Sequence, residues 1–345
     1  MKVFYRINDV KKIWSNNISL FLDINFLKIY FKNHQNITHI FCIDKDIKLY
    51  AHIFKIRFNK THNYLNTQSL NNFFLKFFNL KVLYLTNSFL TNVPSFEFNK
   101  KNVSLDFLIS KIKFNYSMIV IPDFMFYNLK IKEHDFIKLN VEDEMILKVK
   151  KEWNSIFDYK ADLKTKYRSK VNKIYSKTKN VRIRQLDSNE IASHSLTMQS
   201  LFMQVVGSSN FQGPLFNVQS FVDFAKQDYM KVFGYFIDDQ MVGFSSEIFD
   251  NEKMYSYYVG FDKKMNKLIP IYGRILLENI SNAIKYKKET LLLGRTANEF
   301  KSNFGAVPKK SHVYLKINNY FIRLFLKPIY NNIRIKKWTQ RNPFK

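Results

Sequence analysis

Three apolar runs between Lys231 and Phe261 are separated only by Asp238–Asp239 and by Asp250–Asn251. Connections this short leave no room for a crossover, so Lys231–Ile237, Met241–Phe249 and Lys253–Phe261 must form an antiparallel meander. The second half of the chain arranges itself around that meander. Val181–Leu186 (VRIRQL) suits a strand, and Ser188 suits a helix N-terminus. Apolar residues recur at helical spacing from Ile191 to Val206, and a second helix is expected near Asn217, running through Phe221 and Phe224. After the meander, Pro270 suits the first position of a helix with the apolar stripe Ile271, Ile275, Leu276, Ile280, Ala283 and Ile284. Leu291–Leu293 reads as a buried strand, Asn298–Asn303 as a short helix, and His312–Ile317 as a last strand. That order implies an α/β (α+β layered) fold with a mixed, mostly antiparallel sheet flanked by helices.

With 345 residues there is room for two domains, each with its own core. The chain is 46% hydrophobic and 17% aromatic, which excludes a disordered polymer. All eight glycines fall between Gly207 and Gly305, and glycine serves where backbone approaches a ligand closely or turns with positive φ. Chemistry is therefore expected in the second half. A single cysteine, Cys42, excludes an internal disulfide framework, and seven histidines without ligand spacing give no reason to expect a metal. The start of the chain, MKVFYRINDVKK, lacks an apolar export segment, and no apolar run approaches the roughly 20 residues that span a bilayer. A cytoplasmic location is expected, with a peripheral position at the inner membrane as the variant that charge allows.

The net charge of +27 points to anionic partners, or to lysines drifting on solvated faces. Its distribution is more specific. After Glu299 there is no acidic residue, and basic residues alternate with Phe321, Phe325, Tyr330, Trp338 and Phe344 up to the closing KKWTQRNPFK. Such a tail either tracks phosphates, on RNA or an anionic membrane, or packs on its own domain. The basic stretch Lys160–Lys179 offers the same two readings: a solvated face, or a contact to tRNA or lipid phosphate.

The sequences YYVGFD at 257–262, PIYGRILLENISNAI at 270–284 and LLLGRTANEFKSNFGA at 291–306 resemble the second domain of Fem-like, tandem-GNAT proteins of bacterial cell-wall biosynthesis. KTKYRSKVNKI resembles the Lys/Arg-rich segment preceding that domain, and WTQRNPFK also looks family-like. The resemblance covers about 150–345 and weakens before that. It implies a degenerate N-terminal GNAT-like domain over 1–150, a basic connecting helix over 151–180, a C-terminal acyltransferase domain over 181–320, and a basic aromatic tail over 321–345. A faint repeat agrees: Phe21 and Phe26 recur as Phe216 and Phe221, and CIDKDIKLY at 42–50 parallels FIDDQMVGF at 236–244. Leu80–Phe98 is expected to close the first domain's sheet.

The resemblance implies an N-acyltransferase that moves an acyl or aminoacyl group from a phosphate-bearing donor to an amine, such as that of a cell-envelope precursor. The alternative is a non-catalytic GNAT-fold protein that binds membrane or RNA. The implied donor is acyl-CoA, with aminoacyl-tRNA as the alternative, held at the helix start by Lys267, Pro270, Tyr272, Gly273 and Arg274. Gly273 stands alone there and Pro270 removes a backbone donor, so the glycine-rich pattern of ordinary GNAT enzymes is missing. Glu247, among Phe244, Ile248 and Phe249, is the candidate general base, because desolvation raises a carboxyl pKa. The competing reading is a solvent-facing strand residue. Tyr258, or its neighbour Tyr257, can protonate a leaving group or belong to the core. Arg295 and Lys301 suit an anionic substrate group, whereas Thr296 and Glu299 have the spacing of a capping box.

Overall fold

A computed structural model describes residues 1–14, 19–57, 79–100, 102–207, 213–332, 335 and 337–345. Phe325 keeps its place on the backbone, but its side chain lies outside the described set. The chain forms two compact units. One comprises Met1–Glu142, Asn210–Phe216 and Ser311–Lys336; the other comprises Asp143–Ser209, Asn217–Lys310 and Lys337–Lys345.

The first unit contains β1 (Lys2–Phe4), β2 (Thr38–Asp44), β3 (Ile47–Arg57), β4 (Asn79–Tyr84) and β5 (Phe96–Phe98). They are followed by β6 (Val103–Ser104), β7 (Met118–Pro122) and β8 (Leu129–Lys130). Strands β1 to β4 are successive antiparallel neighbours, β4 runs parallel to β7, and β7 pairs antiparallel with β15 (Val307–Ile317). β5 lies against β3, and β6 with β8 makes a separate parallel pair. The core on this sheet joins Ile40, Leu49, Leu83 and Ile119 to Leu108 and Phe126 from the helices.

The second unit repeats that order. Its strands are β9 (Ile137–Lys148, entering the unit at Asp143), β10 (Arg182–Leu186), β11 (Lys231–Ile237), β12 (Gln240–Asp250), β13 (Lys253–Phe261) and β14 (Thr290–Leu292). β10 to β13 are antiparallel neighbours, β13 runs parallel to β14, and β14 pairs antiparallel with β9. Each unit is thus a mixed, mostly antiparallel sheet with one parallel pair, flanked by helices. The faint repeat follows the duplication. Phe26 and Phe221 both lie, fully buried, on the helix before the second strand of the antiparallel run, Ile24–Asn33 before β2 and Ser220–Lys226 before β11.

The meander forms as its turns require. Asp238 and Asp239 have φ of 45° and 62°, the paired left-handed geometry that matches strand twist in tight hairpins. Helices lie on both faces of the second sheet. Ser195–Val206 packs against β12 and β13, and Ile271–Lys285 covers the other face. Leu276, Leu277, Ile280 and Ala283 of that second helix meet Met254, Leu147 and Leu291 from the sheet.

Several boundaries differ from the sequence reading. The stretch expected to connect the domains is part of the second unit, because Val171 and Ile174 of the Thr165–Lys177 helix sit in its core with Leu276. Seven lysines of that stretch, at 151, 164, 166, 170, 173, 177 and 179, are exposed. The strand expected to end the second domain instead closes the first sheet, since residues 313–317 pair with β7 and Tyr314 stacks on Phe126 at 3.4 Å. Leu80–Phe98 does not close that sheet; β4 lies inside it, between β3 and β7. The tail also divides. The Tyr320–Asn332 helix belongs to the first unit, while Trp338 and Phe344 enter the second unit's core. Pro270 is the N-cap of its helix rather than the first helical residue.

Gly260 shows how tightly helix Ser195–Val206 sits on β13. A Cβ there would lie 2.3 Å from Phe244 and 2.7 Å from the backbone nitrogen of Phe202. Helix backbone cannot move aside without lifting the layer. Gly260→Ala is expected to destabilise the protein by about 3 kcal/mol, as overpacking does, read as a lower urea midpoint. An unchanged midpoint would mean that this layer yields freely.

Candidate active site

The parallel pairing of β13 with β14 covers Lys253–Thr290, Met254–Leu291 and Tyr255–Leu292, and no residue of β14 pairs with β13 beyond Tyr255. Past Leu292 the chain turns to β9 instead. Leu293 donates its N–H to Met145 O at 2.8 Å, and Met145 donates to Gly294 O at 3.0 Å. Gly294 then bends away with φ of +69°, and a Cβ at this glycine would meet no atom within 4 Å. Thr296 and Ala297 continue in the left-handed region at 67° and 51°. The strands therefore diverge, and β13 from Ser256 to Phe261 keeps only β12 as a ladder partner. Open strand ends at the edge of such a divergence are where α/β folds hold ligands.

A bulge sits at this place on β13. Ser245 pairs with Val259 but Glu247 pairs with Ser256, so Tyr257 and Tyr258 together oppose Ser246. The Ser246 hydroxyl closes the gap by accepting from Tyr258 N–H at 2.9 Å and donating to Tyr258 O at 2.8 Å. The extra residue reverses the strand's alternation. Ser256 and Val259 face the Ile271–Lys285 helix, whereas Tyr258 turns to the other face and meets Phe202 edge-on at 5.3 Å.

On the helix-covered face, Glu247 is fully buried and held by amides. Asn279 Nδ2 donates to its Oε1 at 2.7 Å, and Asn282 Nδ2 reaches both oxygens at 3.0 Å. Ser256 donates to Asn279 Oδ1 at 3.0 Å, which extends the chain to the point of divergence. Desolvation pushes the Glu247 carboxyl up to about 8, against the pull of the two amides. The expected raised pKa is present, but the group is sealed inside the layer rather than open to a cleft. Asn279 and Asn282 were missed in the sequence reading; their signal is two amides one turn apart within the apolar run ILLENISNAI.

The opposite face gathers a different set. Met145 and Met254 pack with the helix-side core, so alternation turns their neighbours Glu144 and Tyr255 away from it. Glu144 is 2% exposed; burial raises the Tyr255 hydroxyl pKa, helped by the charge of Asp250 and, less, by that of Glu144. Tyr258 shares this face, its pKa raised by burial while a hydrogen bond with Tyr257 pulls the other way. Two protonated hydroxyls and a buried carboxylate thus stand by the divergence. Glu144 was also missed, because VEDE offers three acidic residues in a row and only the fold shows which one turns inward.

Arg295, half-buried, lies at the strand end as expected. Lys301 has a different role. It is 2% exposed, and its Nζ donates to Gly294 O at 3.1 Å and Arg295 O at 2.8 Å, so it buttresses the loop instead of presenting a cation to substrate. The capping box does not form. Left-handed Ala297 is the N-cap of Asn298–Ser302 with no side-chain cap bond, and Glu299 pairs with Arg341 from the docked tail.

The start of the Ile271–Lys285 helix does not fit a pyrophosphate. Tyr272 N–H is taken by Asn266 Oδ1 at 2.8 Å, Ile271 N–H by Ile269 O at 2.7 Å, and Pro270 has none to give. A Cβ on Gly273 would come within 2.9 Å of Ile174, so this glycine serves helix packing. The Tyr272 ring is stacked between Phe261 and Phe300. Arg274 pairs with Glu278 at 2.7 Å and covers the Tyr175 ring. Of the expected donor-binding residues, Lys267 alone stays exposed with a charge to offer. Among the described residues, no group of three or more His, Cys, Asp or Glu could hold a metal, and no helix is long and apolar enough to cross a membrane.

Duplicated sheets with one divergent parallel pair define a tandem fold of Fem-like GNAT type, and solved structures bear this out. FemX matches with a TM-score of 0.51 and 11% identity, over 95% of this chain and 100% of that one. L-PGS from Bacillus licheniformis matches with a TM-score of 0.53 and 9% identity, over 96% of each chain. The C-terminal (DUF2156) domain of a putative lysylphosphatidylglycerol synthetase from Agrobacterium fabrum matches with a TM-score of 0.50 and 8% identity, over 95% and 98%. At such identities the likeness concerns the fold. No family model matches the chain, and no curated protein matches it by sequence.

The buried carboxyl has a measurable sign. Folded protein keeps the Glu247 proton up to about pH 8, whereas an ordinary glutamate loses it near 4.5, so the fold loses stability as pH rises between those values. The slope is about 1.4 kcal/mol per pH unit. Glu247→Gln has no such titration and should gain on the wild type by about 4 kcal/mol from pH 5 to 8, measured by urea unfolding. A constant difference would mean that Glu247 is ionised in the fold.

Proposed function

We propose that the second unit is an N-acyltransferase, which transfers an acyl or aminoacyl group to an amine at the divergence of β13 and β14. The observation that carries this reading is the grouping of Glu144, Tyr255 and Tyr258 on one sheet face beside the strand end that Gly294 leaves open. In the reaction, the amine nitrogen bonds to the donor's carbonyl carbon and the carbonyl's bond to the leaving sulfur or oxygen breaks. The amine gives up one proton and the leaving group takes one up. Glu144 accepts the first proton and Tyr258 supplies the second, since burial keeps its hydroxyl protonated. Glu247 is a positioning residue, acting through Asn279 on Ser256. Arg295 is the cation for an anionic group on either substrate.

The helix start does not suit coenzyme A, so an aminoacyl ester such as aminoacyl-tRNA is the favoured donor. A cell-envelope precursor with a free amine is the acceptor class that the Fem-like sequence resemblance implies. Offering both donor classes with a lysine-containing peptidoglycan-precursor peptide, and reading amide formation by mass spectrometry, tests the proposal. Glu144→Gln is expected to lower kcat by about 100-fold or more, and Tyr258→Phe by a smaller factor. Glu247→Gln should cost less than about tenfold, because it removes no reacting group. Failure of every donor, or equal loss in the Glu144 and Glu247 variants, would overturn the assignment.

A further inference from the structure

The C-terminal segment carries a feature that acyl transfer does not use. Asn319 caps the Tyr320–Asn332 helix, its Oδ1 accepting from Ile322 N–H at 3.0 Å. On that helix Tyr320 is 70% exposed, Phe321 77% and Leu324 54%, whereas Leu326 is 6% exposed and faces the protein. At about 100° per residue, Tyr320, Phe321 and Leu324 lie within one arc, and Arg323 with Lys327 forms its flank. Both cations are exposed. The apolar arc is therefore bordered by positive charge, in a region with no acidic residue after Glu299.

We propose that this face of the Tyr320–Asn332 helix docks on an anionic lipid surface. Charge complementarity selects the occupant. Arg323 and Lys327 reach lipid phosphates while their stems lie along the acyl boundary, and Tyr320, Phe321 and Leu324 enter it. A nucleic-acid backbone would use the cations but not Leu324, which has no ring for a base to stack on. The helix is too short to cross a bilayer and has one side against the protein, so it lies in the interface. The closing residues do not share the role. Trp338 and Phe344 are packed in the second unit's core, Lys164 N–H is held by Pro343 O at 2.8 Å, and Lys345 N–H by Asp162 O at 3.1 Å.

Co-sedimentation of the full chain with phosphatidylcholine vesicles, with and without phosphatidylglycerol, tests the proposal. Binding should be about tenfold or more tighter to the anionic vesicles. Because a net charge of +27 attracts any anionic surface, the apolar arc needs its own variant. Phe321→Ala with Leu324→Ala should lower anionic-vesicle affinity by about tenfold, with an unchanged circular dichroism spectrum. Phe321→Trp gives a readout independent of that variant's folding: brominated lipid should quench the introduced indole beyond the wild-type tryptophan signal. Equal binding to neutral vesicles, no loss in the double variant, or no added quenching would overturn the proposal. So would single-stranded RNA binding more tightly than vesicles and depending on Arg323 and Lys327 but not on Phe321.

Discussion

Met145 exchanges backbone hydrogen bonds with Leu293 and Gly294, and this hold on β9 determines what the second unit can offer a ligand. Backbone inside a sheet must find partners. By spending Leu293 N–H and Gly294 C=O on β9, the chain forfeits continued pairing with β13 and opens the edge of that strand. The consequences run outward from there. Gly294 must adopt positive φ to leave the ladder, and the Asn298–Ser302 helix follows within a few residues. Lys301, buried on that helix, pays for its desolvation by satisfying two of the turn's carbonyls. Removing that ammonium would take away the bond it gives Arg295 O and leave Gly294 O with Met145 N–H, just where the strand end is shaped.

Both faces of the divergence carry a buried acid, and their surroundings differ. Around Glu247 every near partner is a neutral amide, so a negative charge would be poorly compensated and the proton stays. The three amide bonds that tie Glu247 to Asn279 and Asn282 favour one register of the Ile271–Lys285 helix over the sheet. Glu144 lies on the same sheet face as Tyr255 and Tyr258, both half-buried, and its charge acts on the Tyr255 hydroxyl. Tyr255 and Tyr258 keep part of their surface exposed there, while Glu144 itself is 2% exposed.

Local chemistry was enough to read much of the second unit from the sequence. Two-residue turns fix a meander whatever surrounds them, and Lys231–Ile237 and Lys253–Phe261 fall where periodicity puts them, although the second turn is Asn251–Glu252 rather than Asp250–Asn251 because Asp250 still pairs with Lys253. What could not be read depended on contacts distant in sequence. Thr296 and Glu299 have capping-box spacing, but β9 pulls the preceding turn into left-handed geometry, and Arg341, 42 residues on, takes the carboxylate. Glu247 was legible as a desolvated acid, yet its partners lie 32 and 35 residues away. Glu144 was hidden because inward and outward residues of a strand are distinguished only once its neighbours are known. The strand His312–Ile317 was found as the end of Val307–Ile317, but a period of two says nothing about which sheet it joins.

The first unit shows why duplication need not duplicate the site. Its parallel pair, β4 with β7, also ends after three residue pairs, at Tyr84–Val120. There, however, the following donors are spent internally. Leu85 N–H goes to Val120 O, Asn87 N–H to Ser95 Oγ, Ser88 N–H to His52 Nδ1, and Phe89 N–H to Asn87 Oδ1. Since His52 Nδ1 accepts from a backbone amide, its ring is neutral, in keeping with a pKa pushed well below the ordinary value by burial. Burial likewise lowers His34 and His39 to about 4, so the three imidazoles fill the space among Tyr50 and Phe89 without charge. Where the second unit leaves a strand edge open beside an acid and two hydroxyls, the first closes it with neutral rings. The same topology leaves a strand edge without a second ladder partner in one copy and a packed wall in the other, and the difference lies in where the backbone donors after the parallel pair are spent.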